Sequence, residues 1–326
     1  MAESTHVKMY SKASDSLKTM SNNEFLEQNP ETIDPSSKLN KIEEFVRLEK
    51  PMMEISKAAL AFHEQAVESH EKTGHHDIVT EADLYLEDNI TRIIKDRYPE
   101  AKVWGEEIAD EFGPDSWGID PLDGTAVFKR KGRDWCIAIA RMEQGNPVFS
   151  MIVVPMGDRG TEIYTAKAGQ GAFLKEVSLD GTEHTRRLRV ADTTSLQKSP
   201  FAMRQEDVWN LKKAEVTPED RLIADKIHEL SAECSGTNIP GSTSYAMASL
   251  AAGRFSVACA GPQSLWDVAM GDLLIREAGG KVTQLNGEPI NYMNGGIDGK
   301  TSWLASANEE LHEDALMVLN MVKKTI

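Results

Sequence analysis

The stretch WGIDPLDGT, residues Trp117 to Thr125, sets two carboxylates, Asp120 and Asp123, three positions apart in a chain already rich in acid. Like charges held that close repel, and one of them should then keep a proton unless a cation stands between them. Asp120 can reach one ion and Asp123 another, and the carbonyl of Leu122 is free to ligate. Gly124 allows an approach that a side chain would block. The N–H groups of Gly124 and Thr125 then form a short anion nest. Four further pieces belong with this one: DIVTEAD (77–83), WGEE (104–107), GSTS (241–244) and WDVAMGD (266–272). Singly, each has an ordinary explanation as a cap, a turn or a solvated loop. Together they bring acids to element boundaries, where strand ends and helix starts deliver side chains to a cleft. The acids are hard oxygen ligands with no Cys or His in the set, which selects Mg²⁺ or Mn²⁺ over zinc.

The length of 326 residues implies two domains or one large layered unit. With 36 Lys and Arg against 52 Asp and Glu, the net charge is −16. That argues against nucleic acid or an anionic membrane as partner. An anionic substrate would need local positive charge. The cysteines, Cys136, Cys234 and Cys259, are odd in number and lack metal-ligand spacing. They fit a reduced, cytoplasmic setting. No apolar run approaches the length of a membrane span. Residues 1–38 lack the apolar segment of a secretory signal and read as a mobile tail, or as a short helix that docks on a partner subunit.

Apolar residues recur at helical spacing from Leu39 to about Gly74, with Pro51 kinking or dividing the segment. A helix from Glu81 to Arg97 follows, with Thr80 as its N-cap and Asp83 in the capping-box position. CIAIARM and VFSMIVVP read as strands joined by the hairpin signal EQGNP, and EIYTAKAGQGAFL and RLRVA continue them. Beyond residue 190 helices and strands alternate. A helix near 218–233 opens on Thr217 and Pro218. YAMASLAAGR is a helix stopped at Gly253, FSVACA a buried strand, and WDVAMGDLLIREAGG a helix closed by Gly279 and Gly280. KVTQL is a strand and HEDALMVLNMVKK a terminal helix. The expected organisation is therefore an α+β unit with an antiparallel sheet over 39–185 and an α/β unit over 186–326.

The set Asp77-Ile-Val-Thr-Glu-Ala-Asp83, Gly105-Glu106-Glu107, Asp120-Pro-Leu-Asp-Gly-Thr125 and Trp266-Asp267 resembles the inositol monophosphatase family. These are magnesium-dependent, lithium-sensitive phosphatases, in a superfamily with the 3′(2′),5′-bisphosphate nucleotidases and fructose-1,6-bisphosphatases. Gly169-Gln-Gly-Ala-Phe173 and Glu277-Ala-Gly-Gly280 match it too, so the resemblance spans about residues 40–325. It implies a layered αβαβα sandwich, usually as a homodimer. It implies that Glu106, Asp120, the Leu122 carbonyl, Asp123 and Asp267 hold two or three Mg²⁺ ions, with Mn²⁺ able to substitute. Asp120 would bridge two ions. Asp83 and Thr125 would orient or deprotonate the attacking water with help from Glu106, while Gly124 and Thr125 hold phosphate. The reaction implied is in-line attack of metal-activated water on phosphorus, with no phosphoenzyme.

The chain departs from the family where substrate is chosen. Seven residues before Asp267, where inositol monophosphatases usually carry a Glu for a sugar hydroxyl, stands Ala260. Gly261-Pro262 is closer to the bisphosphate nucleotidases. Ala126-Val127-Phe128 follows the DGT where polar residues are common. KRKGR (129–133) is either a solvated loop or a basic rim in which Lys129 and Arg130 meet a second anionic group. FAMRQEDVW (201–209) is either part of a specialised pocket or an altered loop. Ser242 and Thr243 of GSTS are expected to line the pocket. GSTSY lacks the G-x-S-x-G elbow of a serine hydrolase, and His75-His76 reads as an exposed helix end. The expected function is hydrolysis of a small polyol, sugar or specialised-metabolite phosphate. The alternatives are a 3′(2′),5′-bisphosphate nucleotidase and a catalytically silent, metal-binding regulatory subunit.

Overall fold

The computed structural model describes residues 40–65, 69–71, 78–107, 111–204, 207 and 216–321. The expected tail at 1–38, Asp77 and the His75-His76 pair lie outside them. Helix α1, Asn40–Glu64, runs unbroken through Pro51, so the expected division there does not occur. Leu48, Met52, Ile55 and Ala59 are all buried around that proline. Core packing on both sides of it outweighs the one hydrogen bond the ring removes. The helix is also shorter than the periodicity suggested. Beyond it, β1 (Ser69–Glu71) pairs antiparallel with β2 (Ile78–Thr80). Helix α2 occupies Glu81–Arg97, as its pattern predicts.

A seven-stranded sheet follows, in the order of the chain. Its strands are β3 (Val103–Gly105), β4 (Ser116–Asp123), β5 (Cys136–Glu143), β6 (Asn146–Val154), β7 (Gly160–Lys167), β8 (Gly171–Ser178) and β9 (Glu183–Arg187). Every neighbouring pair is antiparallel except β3 with β4. The β5–β6 hairpin turns on Gln144 and Gly145, at φ 50° and 74°. Two consecutive positive φ angles match the right-handed twist of the flanking strands. The charged strand β9 was not foreseen, since RLRVA contributes only its first residue to it. The 185/186 division falls inside that strand.

The second sheet has five strands, ordered β11-β10-β12-β14-β13. They are β10 (Pro200–Met203), β11 (Gly236–Asn238), β12 (Val257–Ser264), β13 (Lys281–Gln284) and β14 (Lys300–Ser306). Thus FAM is a buried strand, not a loop. The helices described in full in this part are α4 (Pro218–Ala232), α5 (Thr243–Ala251), α6 (Leu265–Glu277) and α7 (Glu309–Met321), after a short α3 (Thr125–Lys129). The Thr217 hydroxyl caps α4 by accepting from the Asp220 amide at 3.1 Å.

Side chains alternate between two cores across the large sheet. Ile137, Ile139, Met151 and Val153 face α1 and α2. Ala138, Ala140, Ile152 and Val154 face α5 and α6, which fill the space between the sheets. A strand buried on both faces is apolar throughout, and CIAIA and MIVV read that way. A third core joins α4 and α7 to the outer face of the small sheet. The layers are therefore αβαβα. Among the described residues, no helix is long and apolar enough to cross a membrane.

His312, on α7, is buried with its Nδ1 2.8 Å from Ser306 Oγ and its Nε2 2.9 Å from Thr283 Oγ1. Burial, with Lys281 nearby, lowers its pKa from 6.5 to about 4. Below pH 6.5 the unfolded chain takes a proton that the folded imidazole refuses. The stability His312 confers is therefore complete above that pH and lost as pH falls toward 4. In urea unfolding, the stability of wild type relative to His312→Gln should shrink across this window. A difference independent of pH would contradict the assignment.

Candidate active site

Asp120, Leu122 and Asp123 end β4, which continues through Pro121 rather than turning there. Asp120 lies opposite Ala138 and Asp123 opposite Cys136, so β4 carries one more residue than β5. This bulge is where a proline without an N–H fits a sheet interior. Asp120 Oδ1 accepts from the Leu122 amide at 3.0 Å. Gly124 follows at φ 97°, and a Cβ there would stand 3.1 Å from the Asp134 carbonyl and 3.2 Å from Ser242 Cβ. Both the angle and the space require glycine. Thr125 opens α3. Its hydroxyl lies 3.0 Å from the Leu122 carbonyl and 3.3 Å from Asp83 Oδ1, on the first turn of α2.

Asp123 is held from the opposite side. Its Oδ2 accepts from the Ser244 amide at 2.6 Å and its Oδ1 from the Thr243 amide at 3.2 Å, both in the first turn of α5. The helix dipole favours a carboxylate there. Ser242 caps the same helix, accepting from the Tyr245 amide at 3.0 Å, and its Oγ lies 3.3 Å from Cys136 Sγ. The Thr243 hydroxyl meets Gln263 Nε2, whose amide oxygen accepts from Trp303 Nε1 at 2.6 Å. The side chains of Ser242 and Thr243, expected to line a pocket, are thus buried and engaged inside the protein.

Asp267 stands in the first turn of α6. Glu106 lies in the exposed segment after β3. Burial pushes the Asp120 carboxyl well above the usual range, and Asp123, Glu106 and Asp267 push it further. Asp267 is raised by burial, then by Asp123 and Glu106, and is pulled back by Arg204 and Lys300. Burial raises Asp123 too, against the amides and hydroxyls of Ser244, Ser242 and Thr243. The four acids therefore sit within electrostatic reach of one another. Among the described residues, no group of three or more His, Cys, Asp or Glu side chains is placed as it stands to hold a metal ion.

Two carboxylates escaped the reading of the sequence. Glu87 is fully buried, one helical turn beyond Asp83 on the inward face of α2. Its Oε2 accepts from the Glu107 amide at 2.8 Å. A Cβ on Gly105 would stand 2.5 Å from its Oε1. Glu87 thereby fixes the segment that carries Glu106. The available signal was an acid in register with Leu86, Ile90 and Ile94, where an apolar residue belongs. Asp207 is also buried, and both its oxygens lie 3.2 Å from the Gly261 amide. The basic loop divides by role. Lys131 Nζ bonds the Gln65 carbonyl at 2.6 Å, and Arg133 bonds those of Met156 and Gly157 at 3.1 Å each. Lys129 and Arg130 are exposed. Arg130 Nη2 lies 3.8 Å from the position a Gly241 Cβ would take, beside GSTS.

A methyl group at position 105 has to displace a buried carboxylate that already holds an amide. Gly105→Ala should cost about 1–3 kcal/mol in urea unfolding, the usual range for overpacking. Unchanged stability would show that Glu87 does not lock this segment.

Residues 38–318 match the model of the inositol monophosphatase family. The Nus factor SuhB of Salmonella typhimurium is 32% identical over 236 residues, covering 71% of this chain and 80% of that protein. An inositol-1-monophosphatase of Caulobacter vibrioides is 29% identical over 255 residues, covering 75% of this chain and 88% of its own length. The solved structure of an IMPase/NADP phosphatase complexed with Mg²⁺ and phosphate superposes with a TM-score of 0.68 at 20% identity, over 87% of this chain and 97% of that one. The chain belongs to the inositol monophosphatase family of phosphoric monoester hydrolases.

Proposed function

We propose that this protein is a Mg²⁺-dependent phosphomonoesterase that hydrolyses a small polyol, sugar or specialised-metabolite phosphate by direct attack of activated water. The observation that carries this reading is the gathering of acids at the end of β4: Asp120, Asp123 and Asp267 are raised by burial, and Asp123 and Glu106 push Asp120 and Asp267 further. Such a set, with oxygen donors only, fits a hard divalent cation. Glu106, Asp120, the Leu122 carbonyl, Asp123 and Asp267 would hold two or three Mg²⁺ ions, with Mn²⁺ as a substitute. When bound, they supply a lowered water pKa and charge stabilisation at the leaving oxygen.

The protein's own groups do the rest. Asp83 and Thr125, 3.3 Å apart, orient the attacking water and take its proton, assisted by Glu106. The Gly124 and Thr125 amides meet the phosphate oxygens. Ser242 and Thr243 serve the site by capping and anchoring α5, whose amides hold Asp123 in place. Arg130, beside the Gly241 turn, and Lys129 would form the rim over the cleft. A homodimer in the cytoplasm completes the reading. The named relative that is a Nus factor favours a second reading, a metal-binding regulatory subunit without turnover.

Phosphate release from inositol 1-phosphate, fructose 1,6-bisphosphate, adenosine 3′,5′-bisphosphate, AMP and sugar phosphates tests this. At least one ester should turn over with Mg²⁺, not with EDTA, and Asp123→Asn should lower kcat by a hundredfold or more, on the order of losing one transition-state contact. Full-rate hydrolysis in EDTA would overturn the reading. Mg²⁺ binding without turnover of any ester would favour the regulatory subunit.

A further inference from the structure

Gln263 is a buried amide in β12 that belongs to none of the motifs. Along β12, Ala258 and Ala260 lie opposite Ala305 and Trp303 of β14, and all four face the core between the sheets. Cys259 faces the other way, toward α4. Strict alternation would turn Gln263 to that outer face as well. Gln263 lies instead opposite Thr301, so from Ala260 onward β12 takes three steps where β14 takes two. The extra residue is a bulge at Gly261 and Pro262, and it returns Gln263 to the inner face. The Gly261 amide in that bulge is bound by the buried Asp207, each of whose oxygens lies 3.2 Å away. A Cβ on Gly261 would stand 2.6 Å from Asp207 Oδ1, so glycine is needed here.

On the inner face Gln263 joins β14 to α5. Its Oε1 accepts from Trp303 Nε1 at 2.6 Å, and its Nε2 donates to Thr243 Oγ1. An indole N–H only donates, so Trp303 fixes which end of the Gln263 amide faces it and which faces Thr243. Thr243 opens α5, and its amide, with that of Ser244, binds Asp123. Donation therefore runs in one direction through three bonds, from Trp303 to Gln263, from Gln263 to Thr243 and from Thr243 to Asp123. All four residues are buried, so water does not compete at any step. The small sheet is thereby tied to a carboxylate that ends a strand of the large sheet.

We propose that Gln263 is a positioning residue for the divalent-cation site. It holds the first turn of α5 to the small sheet, so that the Thr243 and Ser244 amides keep the Asp123 carboxylate in one orientation. Mg²⁺ demands near-ideal ligand geometry, and the groups that orient its ligands tune its affinity. This rests on the Mg²⁺ reading above and adds to it a residue, outside the ligand set, that governs ion affinity. The bulge clamped by Asp207 is what aims Gln263 at α5.

Calorimetric titration of Mg²⁺ into wild type and variants tests this, with urea unfolding alongside. Gln263→Met and Thr243→Val should each raise the Mg²⁺ Kd about fivefold, within the range of one buried hydrogen bond. Together they should raise it no further than either alone, because they break the same bond. Thr243→Ser keeps the hydroxyl and should restore the wild-type Kd to within about twofold. Trp303→Phe removes the donor that orients Gln263 and should also raise the Kd, which keeps the proposal testable if Gln263→Met does not fold. His312→Gln breaks hydrogen bonds on the outer face of the same sheet, and should lower stability without moving the Kd. An unchanged Kd in Thr243→Val and Trp303→Phe, or an equal rise in His312→Gln, would overturn the proposal and leave the phosphatase reading intact. No Mg²⁺ binding by wild type would instead remove the reading on which the proposal rests, and the proposal with it.

Discussion

Burying like charges together is the constraint on which this structure depends. Asp120 and Asp123 are buried and Asp267 stands near them; Asp123 and Asp267 push Asp120 toward protonation, and Asp123 pushes Asp267. An uncompensated carboxylate is costly to bury, and mutual repulsion adds to the cost. The protein meets part of that cost with its backbone. The first-turn amides of α5 bind Asp123, and the amide of Leu122 binds Asp120. Divalent cations would meet the remainder.

The sandwich makes such a gathering possible. The large sheet supplies the end of β4. Helices α5 and α6, packed between the sheets, point their N-terminal turns at it, and α2 brings Asp83 from the opposite layer. Three layers contribute to one cleft, and each contributes an element end, where side chains and unpaired amides meet. The lock between Glu87 and Gly105 and the lock between Asp207 and Gly261 do the same job on two loops. In each, a buried carboxylate takes a backbone amide and a glycine leaves the room for it.

Much of this could be read from the residues. The helix Glu81–Arg97 and the strands of CIAIARM and VFSMIVVP follow from local periodicity and turn chemistry. So do the caps at Thr217 and Gly253. The family motifs led to the αβαβα layers. What stayed hidden depends on contacts distant in sequence. Pro51 passes through a helix because its neighbours are buried. The charged strand β9 exists because β8 offers it an edge. Ser242 and Thr243 turn inward because Asp123 and Gln263, far away in sequence, claim their amides and hydroxyls. Glu87, Asp207 and Gln263 carry no motif, since their roles come from what the fold sets beside them.

The central claim is that the crowded carboxylates are balanced by a divalent cation, and Asp120→Asn tests it most directly. Asparagine keeps the oxygen that accepts from Leu122 and removes one of the repelling charges. Thermal unfolding would be followed with Mg²⁺ and with EDTA. In EDTA the variant should unfold at or above the wild-type temperature. Added Mg²⁺ should stabilise wild type, by about 2.7 kcal/mol at a hundred times its Kd, and leave the variant unchanged. A variant less stable than wild type in EDTA, yet equally stabilised by Mg²⁺, would contradict the account.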